Sequence, residues 1–137
     1  MSFTGPIINK GSGLNREDAN TDKVIMLIAG GIAATGLALN TPVRIVSLDQ
    51  AEALGVNAAY DATNGIRVYD HLKEIFRLAP SAEVILVLTE RPTTNLAWFE
   101  TSGKVETALR NPIAKDVKYI FTAWNVATTY TLAYTAN

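Results

Sequence analysis

The chain has 137 residues, 48% hydrophobic and 18% charged, with no cysteine and a formal net charge of −1. That length fits one domain with a self-sustaining core, while the lack of cysteine excludes disulfide and thiolate chemistry. The near-neutral balance supplies no global field to draw in nucleic acid or an acidic membrane surface, so neither is expected as a partner.

Met1 to Asp22 contains Gly5, Pro6, Gly11 and Gly13 with a polar run from Asn15, and shows no helical or strand period. Residues 1–22 are therefore expected to form an arm, and 23–125 an α/β core. Within the arm only Pro6-Ile7-Ile8 has the makings of a short strand, which makes Ile7 and Ile8 candidate subunit contacts.

Val24–Ala29 is the first strand candidate, running into the glycine-rich Gly30–Gly36. A phosphate-loop reading fails because Leu37-Ala38 stand where a lysine and a hydroxyl residue would grip phosphate and magnesium. Glycines that permit a tight turn are the simpler reading. The stretch Val24 to Leu39 is also shorter than the ~20 residues of a spanning helix, so no membrane insertion is expected. The N-terminus lacks the basic and then apolar order of a secretory signal.

Val43–Val46 reads as a second strand, and Ser47 with Gln50 makes a capping box for a short helix, Leu48 to Leu54. Gly55 suits the left-handed position that ends it. Val56 to Thr63 reads as a connection. In the next helix, Asn64–Leu78, Ile66, Tyr69, Leu72, Ile75 and Phe76 recur at helical spacing, with Gly65 in the first turn. Pro80 stops that helix. The unbroken apolar run Val84–Leu88 then reads as a strand covered on both faces.

Thr89–Asn95 comes after an expected parallel strand, at the end where open α/β sheets place ligands, and so is the best location for a small-molecule site. Trp98 and Phe99 nearby suit either core or interface. Lys104–Arg110 reads as a helix stopped by Asn111-Pro112, and Val117–Thr122 as the last core strand. From Tyr119 to Asn137 there is no charge, and in the 126–137 tail Tyr130, Leu132 and Tyr134 share one face of an extended segment. Such a strand pairs within its own sheet or with a neighbouring chain.

His71 is the only histidine, which excludes a multi-histidine metal site; it reads as a solvated helix residue beside Glu74. The carboxylates are scattered. No catalytic, cofactor-binding or metal-binding residue is assigned, and no enzymatic activity is expected.

The run Val43-Arg-Ile-Val-Ser-Leu-Asp-Gln-Ala-Glu-Ala-Leu-Gly-Val56 and the later Tyr69-Asp-His-Leu-Lys-Glu-Ile-Phe-Arg-Leu-Ala-Pro80 resemble the sheath proteins of contractile phage tails. The matched positions are Ser47, Gln50, Ala51, Glu52, Ala53, Leu54, Gly55, Tyr69, Phe76, Arg77 and Pro80, and the resemblance runs from Val24 to Trp124. It implies a structural subunit that assembles with identical subunits around a tail tube protein, its termini linking neighbours, in a virion tail or the bacterial cytoplasm.

The expectation is thus an α/β domain with a mainly parallel sheet of about four core strands flanked by helices, with extended terminal arms. The surfaces expected to meet other subunits are Ile7, Ile8, Trp98, Phe99, Tyr130, Leu132 and Tyr134. A rival reading is a small-ligand-binding or enzymatic domain that uses Gly30–Gly36 and Thr89–Asn95. A third is an adaptor that binds another protein through Trp98 and Phe99.

Overall fold

Two apolar strands, β1 (Val24–Gly31) and β3 (Glu83–Glu90), run side by side in parallel at the centre of a four-stranded sheet. The computed structural model describes residues 24–99 and 103–132. The expected arm, with Ile7 and Ile8, and Tyr134 of the tail lie outside the described residues. The strand order is β2-β3-β1-β4, where β2 (Val43–Ile45) pairs antiparallel with β3, and β4 (Tyr119–Ala123) pairs parallel with β1.

The sheet is therefore mixed rather than uniformly parallel. The connection 32–42 holds only a tight turn, in which Ala34 and Leu37 exchange backbone hydrogen bonds of 2.9 and 3.2 Å. With no crossover helix to carry the chain back along the sheet, it re-enters in the opposite sense.

Alternation along the strands divides the core in two. Leu27, Ala29, Val84, Leu86 and Leu88 face one side, where they meet Ala51, Val56, Tyr60, Ile66, Val68, Leu72 and Phe76. Met26, Ile28, Ile85 and Val87 face the other and meet Trp98, Ala108 and Ala114. Strand β3 is covered on both sides, as its unbroken apolar run requires.

The first helical layer contains α1 (Leu48–Ala53), α2 (Ala58–Asn64) and α3 (Val68–Leu78). Ser47 caps α1 by accepting from the Gln50 amide at 3.3 Å, and the Gln50 side chain accepts from the Val46 amide at 2.9 Å. Gly55, at φ 86°, ends that helix in the left-handed conformation expected of it.

The helix expected from Asn64 to Leu78 instead begins at Val68, and a separate helix precedes it. Asn57 caps a separate helix α2, and Gly65, at φ 61°, is its left-handed stop rather than part of the next helix's first turn. Helix α3 begins at Val68 with no cap from its own first residue. Instead, Asp61 of α2 accepts from the amides of Val68 and Asp70 at 3.0 and 3.1 Å, satisfying two of the free donors at that helix start.

The second layer holds the single turn α4 (Leu96–Phe99), α5 (Lys104–Arg110) and a 3-10 turn, Pro112–Asp116. Beyond β4 the expected period-two strand does not form across 129–132: residues 128–129 turn, and Thr131 makes one isolated bridge with Thr94.

Candidate functional site

Strand β4 was expected in the core, but among the described residues it is an outer strand. Residues 119–122 are all exposed, and Tyr119, Ile120 and Phe121 keep 56%, 45% and 51% of their surface in solvent. The register explains the two faces. Phe121 and Ala123 lie beside Leu27 and Ala29 on the side of α3, whereas Ile120 and Thr122 lie beside Met26 and Ile28 on the other side.

Helix α3 sets its buried stripe, Val68, Leu72 and Phe76, on the sheet. A second stripe one step round, His71, Ile75 and Leu78, borders an apolar groove beside β4. The groove encloses about 310 Å³; Leu27, Phe121 and Ala123 line it from the sheet, and Glu74 adds a charge at its wall. Leu78 is 68% exposed. Burying half-exposed side chains of this size is worth about 1 kcal/mol each, so the strand and groove together hold several kcal/mol of unused burial.

The chain beyond β4 is drawn across the ends of β1 and β3. The Arg91 guanidinium donates to the carbonyls of Asn125, Val126 and Asn64, and the Asn125 side chain donates to the Gly30 carbonyl at 2.9 Å. A side chain at Gly30 would meet the Pro92 ring at 3.0 Å and the Asn125 carbonyl at 3.1 Å, so a larger residue fits only if these neighbours give way slightly.

The loops of the small-ligand reading are occupied by contacts of their own. Glu90 pairs with Lys104 at 2.6 Å and accepts from Asn40 at 3.1 Å; the Lys104 bond holds its carboxyl below the usual carboxylate range. Gly30 and Gly31 are the last paired residues of β1, and Gly36 approaches Leu54, whose carbonyl accepts from its amide at 3.0 Å. After β1 the chain makes a tight turn, whereas a phosphate-binding glycine loop uses the start of a helix at that point.

A polar cleft of about 530 Å³ involves Asp61, Gly65, Arg67, Asp70 and Asn125. Burial pushes the Asp61 carboxyl above its ordinary value, against the pull of the Asp70 and Val68 amides. Both its oxygens serve the α3 cap, so its evident task is structural. Among the described residues no group of three His, Cys, Asp or Glu side chains could hold a metal ion. Nor is any helix among them long and apolar enough to cross a membrane.

The aromatic residues singled out from sequence separate. Trp98 is wholly buried among Met26, Ile28, Ile85 and Val87, a core position rather than a surface anchor. Phe99 is 59% exposed and Leu132 62%. Tyr130 is half-buried against Trp124, with ring centroids 5.6 Å apart, and Trp124 also meets Trp98 and Phe99. The structure thus brings Trp98, Phe99 and Tyr130 into one aromatic cluster around Trp124.

Sequence reasoning missed the exposure of Tyr119, Ile120 and Phe121. The uncharged run from Tyr119 was the available signal, because a buried strand and a strand awaiting a partner share that composition. Comparison with protein-family models, curated proteins and solved structures returned no match.

Proposed function

We propose that this chain is a structural subunit of a contractile phage tail or phage-like injection sheath, assembling through contacts between identical copies around a tail tube protein. The observation that carries the reading is the outer strand β4, with Tyr119, Ile120 and Phe121 half in solvent beside an apolar groove. An outer strand of this composition is a template for another chain, since natural sheets protect such edges with charge, proline or a covering element.

The resemblance supports the same reading. The capped helix α1 and its Gly55 stop stand where the sheath pattern has a short helix ending in glycine. Helix α3, with Tyr69, Phe76 and Arg77, stands where the pattern has a longer helix before a proline and a strand. A place in a virion tail, or in the bacterial cytoplasm before assembly, belongs to this reading.

Electron microscopy of the concentrated protein tests it. Rings, tubes or filaments are expected; particles no larger than a few chains at every concentration would remove the sheath reading. The rival small-ligand reading predicts stabilisation by nucleotides or phosphorylated metabolites, about 2.7 kcal/mol at 100 times the dissociation constant. Because Glu90 is paired with Lys104 and Arg91 is spent on the backbone carbonyls of Asn125, Val126 and Asn64, we expect none.

A further inference from the structure

We infer that Asn64 is a site of covalent modification: its side-chain amide is lost to attack by the Gly65 backbone nitrogen, and the product loosens the cap that joins α2 to α3. Of the asparagines in the chain, only Asn64 is followed by glycine. Glycine has no Cβ beside its nitrogen to hinder the approach, so this pair closes on itself more readily than any other asparagine pair in the chain.

The reaction is internal and consumes only water. The Gly65 nitrogen gives up its proton and bonds to Asn64 Cγ; the bond from Cγ to the side-chain nitrogen breaks, and that nitrogen leaves as ammonia with the proton. A five-membered cyclic imide remains. Water then opens it on either side. Opening between Cγ and nitrogen gives aspartate at 64, and opening at the main-chain carbonyl gives isoaspartate, in which the backbone runs through the side chain and is longer by one methylene.

The fold requires this pair and then restrains it. Gly65 stands at φ 61°, the left-handed stop of α2, where a side chain is disfavoured. Its amide donates to the Asp61 carbonyl, the Asn64 side-chain amide donates to the Tyr60 carbonyl at 2.8 Å, and the Asn64 main-chain carbonyl accepts from Arg91. Ring closure breaks the first two bonds and rotates the peptide plane held by the third. The reaction therefore runs through opening of the last turn of α2, at a rate set by how often that turn frays. Nothing crowds the junction: a side chain at Gly65 would meet no atom within 4 Å, and Gly65 lines the open polar cleft with Arg67, Asp70 and Asn125, so water reaches the imide.

Either product replaces the donor to the Tyr60 carbonyl with a carboxylate, at the negative end of α2. Isoaspartate also displaces Gly65 and Ile66, whose amides both reach the Asp61 carbonyl. The Asp61 side chain in turn receives the Val68 and Asp70 amides, so the lengthened link disturbs the start of α3. The modification concerns this junction and stands or falls apart from self-assembly.

Ageing the full-length chain at physiological temperature in mildly alkaline buffer tests this, with conversion read by peptide mass spectrometry and isoaspartate by its enzymatic methylation. Asn64 should convert ahead of every other asparagine, to aspartate and isoaspartate together, and more slowly than in the same chain unfolded in urea. Arg91→Ala should quicken the folded-state reaction about 2–10-fold, the worth of one released hydrogen bond, and leave the rate in urea unchanged. Arg91→Lys should fall between, and Asn64→Gln should not convert at that position. In the converted protein, hydrogen exchange at the Val68 and Asp70 amides should quicken about 5–30-fold, as for a lost cap, with the β1 and β3 amides unchanged.

An intact Asn64 in the folded chain, over the time in which the urea-unfolded chain converts, overturns the site. Equal folded-state rates in wild type and both Arg91 variants overturn the restraint assigned to that contact. Unchanged protection at Val68 and Asp70 after conversion overturns the loosening of α3.

Discussion

The Arg91 guanidinium donates to the backbone carbonyl of Val126 and, in the same reach, to those of Asn125 and Asn64. One side chain therefore ties the end of β3 to the end of α2 and to the segment after β4. That segment is then held by the Ala127 amide on the Pro92 carbonyl at 3.1 Å and the Thr131 amide on the Thr93 carbonyl at 2.8 Å.

Replacing Arg91 by alanine should cost about 2–3 kcal/mol, since charge-assisted bonds to partly buried carbonyls are lost together. Lysine should restore only part of this, because it lacks the planar fork. Hydrogen exchange should quicken at Ala127 and Thr131 first. Unchanged protection at those two amides would show that Arg91 does not tether the segment.

Asp61 does for α3 what a cap normally does from within a helix. Asp61→Ala should cost about 2 kcal/mol in denaturant unfolding, because two amides at the start of α3 lose their acceptor. Asp61→Asn keeps one acceptor oxygen and should lose less. Equal losses for both would mean that the carboxylate's charge, not its two acceptors, is what α3 needs.

Gly31 is the clearest steric position. A side chain there would stand 2.9 Å from the Tyr60 hydroxyl, which itself donates to the Ile32 carbonyl and accepts from the Ile32 amide. Gly31→Ala should therefore destabilise by about 1–3 kcal/mol, as overpacking does. On a Tyr60→Phe background the same change should cost about 1 kcal/mol less. Strict additivity would rule out this contact as the cause.

Much of this architecture was legible from local chemistry. Val84–Leu88 announced a two-sided strand by its unbroken apolar run, and Ser47, Gln50 and Gly55 announced the ends of α1. Helix α2 was missed because Ala58, Ala59, Ala62 and Thr63 give no apolar period, though Asn57 and Gly65 stood at its two ends as cap and stop. The exposure of β4 was not legible. Whether Phe121 is buried depends on how far α3 reaches across the sheet, which is a tertiary matter that no residue in 117–124 encodes.

The Glu90–Lys104 pair gives a pH signature. The folded-state carboxyl lies below its ordinary value of 4.5, so its contribution is present above that value and is lost as pH falls through the lower one. The pair is partly exposed, so the effect should be under about 1 kcal/mol. Wild type should melt slightly above Glu90→Gln at about pH 7, and the two should converge as the pH falls through the lowered folded-state value. A gap that does not shrink as the solution is acidified would contradict this origin.

The most direct test of self-assembly through β4 is light-scattering molar mass across a concentration series, run on wild type and on Phe121→Lys. Phe121 is half in solvent, so the lysine is tolerated by the fold while placing a charge on the open strand. The mass of wild type should rise above that of one chain with concentration, and that of Phe121→Lys should stay at one chain throughout. A wild-type mass fixed at one chain, or identical growth in both proteins, would contradict the account.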